Sequence, residues 1–416
     1  MRTPTQEYTD KYAAIKIPEY RHLITGRFFF IIGLRMLGTL MGWWVYSLSG
    51  AALAIGLIGL SEVIPAVSLA LYAGHVIDIS EKRKLLLSGA TGYITCVLLL
   101  LGLAYLHHIS FISNNITISI IYIIVFFTGI IRAFTGPVFH TIYPSIVPKS
   151  IMQNATTWNQ GSWLLASVLG HAIGGFLIAQ LDIIGTLVCI AILVLIGISF
   201  MVKIAPKPAY KGNTEKKTFE SVKEGIRFVV KTKEVFGALM LDLFAVLFGG
   251  AVAIIPIFAK DILQVGATGF GWLNAATDMG AIIVIILLTF YPLQSKQGVK
   301  LLLSIAGFGV CIIVFAISKM FWLSFAALLV SGILDGVSVV VRGTIVQLKT
   351  PDAMRGRVMS VNSMFINSSN ELGQFESGIA AKLLGVVPSV IFGGCMTIAV
   401  VITTWFKAPT LRKMEY

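Results

Sequence analysis

The sequence predicts an all-α integral membrane protein: twelve transmembrane helices in two pseudo-symmetric six-helix bundles. Three observations carry that expectation. The 416-residue chain is 56% hydrophobic but only 12% charged, about half the ~25% charge of a soluble domain. It offers twelve apolar windows of about 20 residues, the length that crosses a ~30 Å hydrocarbon core at ~1.5 Å per residue. A charged segment, 204–234, then divides those windows six and six. So much apolar sequence with so little charge excludes a disordered chain, a fibrous rod and a small disulfide scaffold.

The windows lie at 25–49, 53–77, 85–106, 116–137, 158–180, 183–203, 235–258, 268–290, 301–318, 321–345, 358–381 and 386–406. Residues 1–24 mix Glu7, Asp10 and Glu19 with Lys11, Lys16 and Arg21. The apolar run that follows is too long for the h-region of a signal peptide, so the first window is kept as a spanning helix. The eleventh window is the most polar and the fifth is next. The expected organisation is a cytoplasmic segment 1–24, a bundle 25–203, a cytoplasmic linker 204–234, a second bundle 235–406 and a cytoplasmic tail 407–416.

Charge sets the orientation. Of the 32 Lys and Arg, 26 fall in the segments that are inner when the N-terminus is inside, against Lys260 and Lys319 outside. Arg35, Arg132, Arg342 and Lys382 fall within or at the edge of windows. The positive-inside rule then places both termini and the linker in the cytoplasm. The net charge of +13 is therefore a record of topology, and no motif supports nucleic-acid binding. The linker text "KGNTEKKTFESVKEGIRFVVKTK" has two readings, an interfacial helix touching anionic headgroups or a solvated loop. Cys96, Cys189, Cys311 and Cys395 fall inside spans without a CxxC pair, as small apolar filler.

The halves repeat. Pro148 to Gly170 is 22 residues, as is Pro351 to Gly373. "GHAIGG" (Gly170 to Gly175) and "GQFESG" (Gly373 to Gly378) follow in register, and Lys84-Leu-Leu-Leu matches Lys300-Leu-Leu-Leu at the third helix of each half. Such parallel repeats place a substrate site near the midplane between halves.

Three motifs sit on this frame. "GHVIDISEKRK" between the second and third helices holds Gly74, Asp78, Lys82 and Arg83: a small residue for close helix approach, and charges able to pair across an inner gate or cap a neighbouring helix end. "RAFTGP" places Arg132 and Gly136 one turn apart. A guanidinium at membrane depth costs several kcal/mol unless paired or hydrated, so Arg132 either faces the bundle interior or snorkels to the near membrane face. In "GHAIGG", Gly170, Gly174 and Gly175 permit close packing, and His171 is either a hydrogen-bonded contact between helices or a proton carrier.

The first motif resembles the signature loop of the major facilitator superfamily, with Glu81 where that pattern has a second glycine. The second resembles the family's arginine motif, associated with proton coupling in its antiporters. The third resembles its antiporter motif, with His171 in place of a proline. Together with "LDLFAVLFGGAVAIIPIFAKDIL", "VVVRGTIVQLKTPDAMRGRVMSVNSMFINSSNELGQFESG" and "WFKAPTLRKM", the chain after residue 20 resembles the enterobactin-exporter branch of that superfamily, close to its drug:proton antiporters. The resemblance implies the family's twelve-helix fold and export of a small molecule from a bacterial inner membrane.

Independently, the buried charges form a working set. By helix rise, Arg35 and Glu62 both reach the midplane, where a pair would offset each other's burial cost. Asp242 and Asp335 lie nearer the inner half and Asp278 near the centre. In the eleventh window Asn367, Asn370, Glu371, Gln374 and Gly378 repeat at spacings of three and four, a polar stripe that cannot face lipid and lines a cavity or an interface. Glu62, Asp242, Asp278, Glu371 and Arg132 are the candidate proton-coupling residues, with Arg35, Asp335 and Arg342 as charge partners and Asn367, Asn370 and Gln374 as cavity lining.

No GxxxxGK[ST] loop supplies an ATP motor, and no HExxH or GxSxG motif supports a hydrolase. The expectation is a secondary transporter working by alternating access, not an enzyme, that exports an amphipathic, drug-like or siderophore-like molecule with protons as coupling partner. It needs no cofactor or metal and is a monomer in the bilayer. Import, facilitation or lipid transport on the same fold remain alternatives, as does a non-transporting receptor or chaperone. The orientation is directly testable: a fluorescent protein fused after Tyr416 is expected to mature, and alkaline phosphatase inserted after Lys319 to be active. The reverse pattern would invert the topology.

Overall fold

In the computed structural model the described residues are 10–206, 218–291, 293, 295–351 and 354–415. They are almost wholly helical: α1 (Pro18–Ser49), α2 (Ala52–Ile79), α3 (Lys82–His108), α4 (Asn114–Ile142), α5 (Met152–Met201), α6 (Thr218–Lys231), α7 (Lys233–Gly249), α8 (Gly266–Phe290), α9 (Gln297–Ile317), α10 (Phe321–Lys349), α11 (Arg355–Leu384) and α12 (Val386–Lys407).

Local chemistry sets the boundaries. Gly50 at φ +62° ends α1, a left-handed conformation that costs glycine nothing. The α2–α3 turn is only two residues, Ser80 and Glu81, and Glu81 is extended (φ −67°, ψ 115°), so it needs no second glycine. α5 fills both the fifth and sixth windows and breaks where Asp182 adopts φ 54°, ψ −167°, giving two arms. After Gly249 and Gly250 the chain passes through a 3₁₀ turn (Ala251–Ile254), one α turn holding Pro256, and a π turn (Phe258–Ile262), since proline and paired glycines both interrupt an α-helix.

Nine helices among the described residues are long and apolar enough to cross a membrane, one of them the double-length α5. α7 and α11 fall outside that set for different reasons. α7 is only 17 residues long, ending at Gly249, and α11 carries the polar stripe. Large apolar side chains such as Leu99, Phe127, Ile192, Ile286 and Leu303 are exposed, as lipid-facing positions should be in a chain that buries its polar groups inward.

The described chain forms two compact units. One contains residues up to Met41 together with Ile64–Asn213, and the other contains Gly42–Val63 together with Thr214–Tyr416. In the first, α3 packs against α4 and α5. In the second, α8 packs on α10, α9 on α10 and α12, and α7 on α11 and α12, around a core in which the Phe258 and Phe315 rings lie 4.5 Å apart.

Glycine sets the closest helix contacts. A Cβ on Gly332 of α10 would collide with the Thr277 backbone of α8, and one on Gly280 with the Leu329 carbonyl. Membrane helices approach this closely only over small residues. Gly332→Leu is therefore expected to lose most folded, monodisperse protein, since overpacking costs about 1–3 kcal/mol even where side chains can give way. Gly136→Ala, with nothing within 4 Å of the added carbon, is expected to leave the melting temperature unchanged. Thermal unfolding in detergent measures both.

Candidate functional site

In the first unit, Arg27, Arg35 and Thr39 share one face of α1 at intervals of eight and four residues. Arg35 lies over the Trp163 ring at 5.1 Å, a cation–π contact that partly replaces the water it has lost. Arg27 is buried, donates to the side chain and the carbonyl of Asn159, and sits 5.3 Å over Phe139. Thr39 Oγ1 lies 2.8 Å from His171 Nδ1 and also donates to the Arg35 carbonyl at 3.1 Å. Glycines allow this approach. A Cβ on Gly170 would come within 2.6 Å of Arg35 Cβ, and one on Gly174 within 3.2 Å of Met36 Cα; Gly175 is buried beside them.

At the N-terminus of α3, Lys82 donates to the Thr141 carbonyl at 3.4 Å and Arg83 to the Val202 carbonyl at 2.7 Å. Both acceptors lie at C-terminal ends, of α4 and α5, where orphan carbonyls and the helix dipole favour a cation. The surroundings of Gly74 and the side chain of Asp78 lie outside what the structure describes. Arg132 is half-buried on α4, and Gly136 beyond it is exposed.

In the second unit, Asp242 of α7 and Arg342 of α10 form a salt bridge with 7% and 4% of their side chains exposed. Asp278 and Asp335 interact electrostatically across the α8–α10 contact. Asp335, Ser338 and Arg342 follow one face of α10 at intervals of three and four. On α11, Glu371 is 6% exposed and accepts from Gln374 Nε2 at 3.2 Å. Asn370 is exposed and donates to the Ile366 carbonyl at 3.0 Å. The Asn367 side chain lies outside the described residues.

Glu371 and Gln374 meet the N-terminal part of α2. A Cβ on Gly59 would come within 2.9 Å of the Glu371 carbonyl and of Gln374 Cβ, and one on Gly56 within 3.1 Å of Gly378 Cα. Glu62, half-buried, lies one turn beyond Gly59. Nearby, the Tyr46 hydroxyl donates to Asp261, Lys260 lies 5.4 Å over the Tyr46 ring, and Trp43 stacks on Phe270 at 5.8 Å.

Two groups escape a reading by sequence. Arg27 counts there as a cytoplasmic cation, although its place eight residues before Arg35 on the same helix face could have flagged it. Lys260 reads as an outside cation and Asp261 carries no reading, and nothing in the sequence joins them to Tyr46. Among the described residues no His, Cys, Asp and Glu cluster could hold a metal.

A family profile described as transmembrane secretion effector matches residues 9–416. The enterobactin exporter EntS of Shigella boydii serotype 18 is 24% identical over 371 residues, covering 88% of this chain and 85% of that protein. Among solved structures, the nucleoside transporter NupG aligns with a TM-score of 0.70 at 14% identity, over 93% of this chain and 99% of its own. A D-xylose-proton symporter aligns at 0.70 and 12%, over 96% and 98%. At these identities the structures establish the fold, that of the major facilitator transporters.

The Asp242–Arg342 pair generates a prediction about stability. Removing one partner strands the other charge in a low-dielectric site, a loss of about 3–5 kcal/mol, whereas removing both is far less costly. Asp242→Asn is thus expected to lower the melting temperature sharply, and Asp242→Asn with Arg342→Met to recover most of it. Strictly additive losses in that double-mutant cycle would dissolve the pair.

Proposed function

The chain belongs to the transmembrane secretion effector family of major facilitator transporters, and from that premise we propose that it exports a small amphipathic, siderophore-like or drug-like molecule in exchange for protons. It is a multi-pass membrane transporter rather than an enzyme. Export is supported by the family description and by the relative named as an enterobactin exporter. The same relative supports a siderophore-like cargo and a bacterial inner membrane. In this reading all twelve windows cross the bilayer, both termini are cytoplasmic, the protein works as a monomer, and two six-helix halves, 25–203 and 235–406, alternate around a central site.

The observation that carries the coupling proposal is Glu371, buried where α11 packs on the Gly56–Gly59 face of α2. In this reading Glu371 takes the coupling proton while that contact is closed and releases it when the contact parts. Asp242, paired with Arg342, fixes α7 to α10. Asp278 with Asp335, and Glu62 one turn from Gly59, are further acceptors. Arg35, with Trp163 and close to His171 through Thr39, offers a cationic and aromatic surface for an anionic aromatic cargo. Arg132 supplies a second cation in the same unit, and Lys82 and Arg83 with Gly74 and Asp78 form the inner gate.

Proteoliposomes oriented with the cytoplasmic face outward provide the test, using a labelled metal-free catecholate. With the membrane potential clamped at zero, one proton per cargo should give about tenfold accumulation per pH unit when the lumen is acid, since each factor of ten is ~1.4 kcal/mol. Glu371→Gln should abolish the dependence on the gradient while leaving cargo exchange intact. Accumulation in the wild type that ignores the gradient would end the coupling proposal.

A further inference from the structure

The linker contains a feature that the transport reading does not use. α6 is strongly amphipathic and is joined to α7 by Thr232 alone. Its inner face is docked. Gly225 lies against the Arg357 carbonyl, where a Cβ would come within 3.0 Å, and Glu224 pairs with Arg357. Val229 enters a cluster with Val235, Leu239, Val346, Val358 and Val361. α6 is thus fixed to the inner ends of α7, α10 and α11 rather than free in solution.

Its outer face repeats at intervals of three and four: Lys223, Ile226, Arg227, Val230 and Lys231, all exposed. At ~100° per residue, Ile226 and Val230 fall between the docked face and the cationic stripe. Ile226 is 39% exposed and Val230 57%. Among the described residues none of the three cations has an ion-pair partner. An apolar edge bordered by cations, ending two residues before a membrane helix begins, is the pattern of a helix lying at the acyl–headgroup boundary.

We propose that this face of α6 is a docking surface for the anionic lipid headgroups of the cytoplasmic leaflet, with Lys223, Arg227 and Lys231 at the phosphates and Ile226 and Val230 among the first acyl carbons. A soluble polyanion would match the charges but has no use for the apolar edge. The proposal rests on the cytoplasmic placement of the linker, which the reporter fusions test separately. It does not depend on cargo or coupling. Through Gly225 and Arg357 the bound leaflet would hold the inner end of α11, the helix that carries Glu371.

Lysine footprinting of the full-length protein with a soluble acylating reagent tests it, in nanodiscs of neutral phosphatidylcholine or with about one third phosphatidylglycerol. Acylation of Lys223 and Lys231 should slow about fivefold in the anionic discs and recover at ~1 M salt, where the Debye length is ~3 Å. Lys84, at the inner end of α3, should change less, and Lys319 not at all. Ile226→Ser with Val230→Ser, which keeps every charge, should remove most of the protection. Equal rates in the two discs would overturn the proposal, as would protection that survives the double serine variant. Protection in neutral discs on adding an acidic polypeptide, without any effect of anionic lipid, would assign the surface to a soluble partner and also overturn it.

Discussion

The structure depends on one constraint: a charge or polar group placed at membrane depth must find its partner within the same chain. Water is not there to serve, and an uncompensated ion costs several kcal/mol. The Asp242–Arg342 bridge is the plainest response, two ions on different helices with almost no exposure. Arg35 over Trp163 and Arg27 on Asn159 are responses of other kinds, a π-face in one case and an amide with a carbonyl in the other. Each fixes a pair of helices as a by-product of solving an electrostatic problem. α7 is tied to α10, and α1 to α5.

Those partners can meet only because the backbones come close, and there glycine enters. Gly170 and Gly174 bring α5 onto α1 so that His171 reaches Thr39. Gly280 and Gly332 bring α8 onto α10, within range for Asp278 and Asp335 to feel each other. Hydrophobic burial adds little between helices already surrounded by lipid, so contact area and polar partners carry the association. A small-residue stripe and a buried charge are therefore two parts of one device here.

Much of this was legible in the sequence, because hydropathy and charge are sums over residues. The spanning windows, the break at Asp182 between the fifth and sixth, and the exceptional polarity of α11 can all be counted. The pairing of Asp242 with Arg342 cannot, since both residues were visible as buried charges without any sign of which opposed which. Arg27 was hidden by its place near a helix end, where a cation ordinarily reaches water, whereas in the fold Asn159 and Phe139 enclose it. Asn370 lies on the stripe of Glu371 and Gln374 by its spacing, and its side chain is exposed and bonded to its own helix. Periodicity assigns a face, and only the neighbouring helices decide how much of that face is covered.

The division into compact units bears on how a transporter of this kind would move. The boundary passes through α1 between Met41 and Gly42 and through α2 between Val63 and Ile64. The end of α1 and the start of α2 are thus compact with α7 to α12 rather than with the rest of those two helices. Tyr46 with Asp261, Gly56 with Gly378, and Gly59 with Glu371 and Gln374 make that attachment. Alternating access requires these contacts to part. They suit that use, since glycine–glycine contact and a single hydroxyl–carboxylate bond lack the desolvation penalty of a broken buried ion pair. Asp242 and Arg342, whose separation would carry that penalty, join α7 to α10 within the second unit. The costly interaction ties helices that the proposed motion keeps together, and the cheap ones lie where that motion would occur.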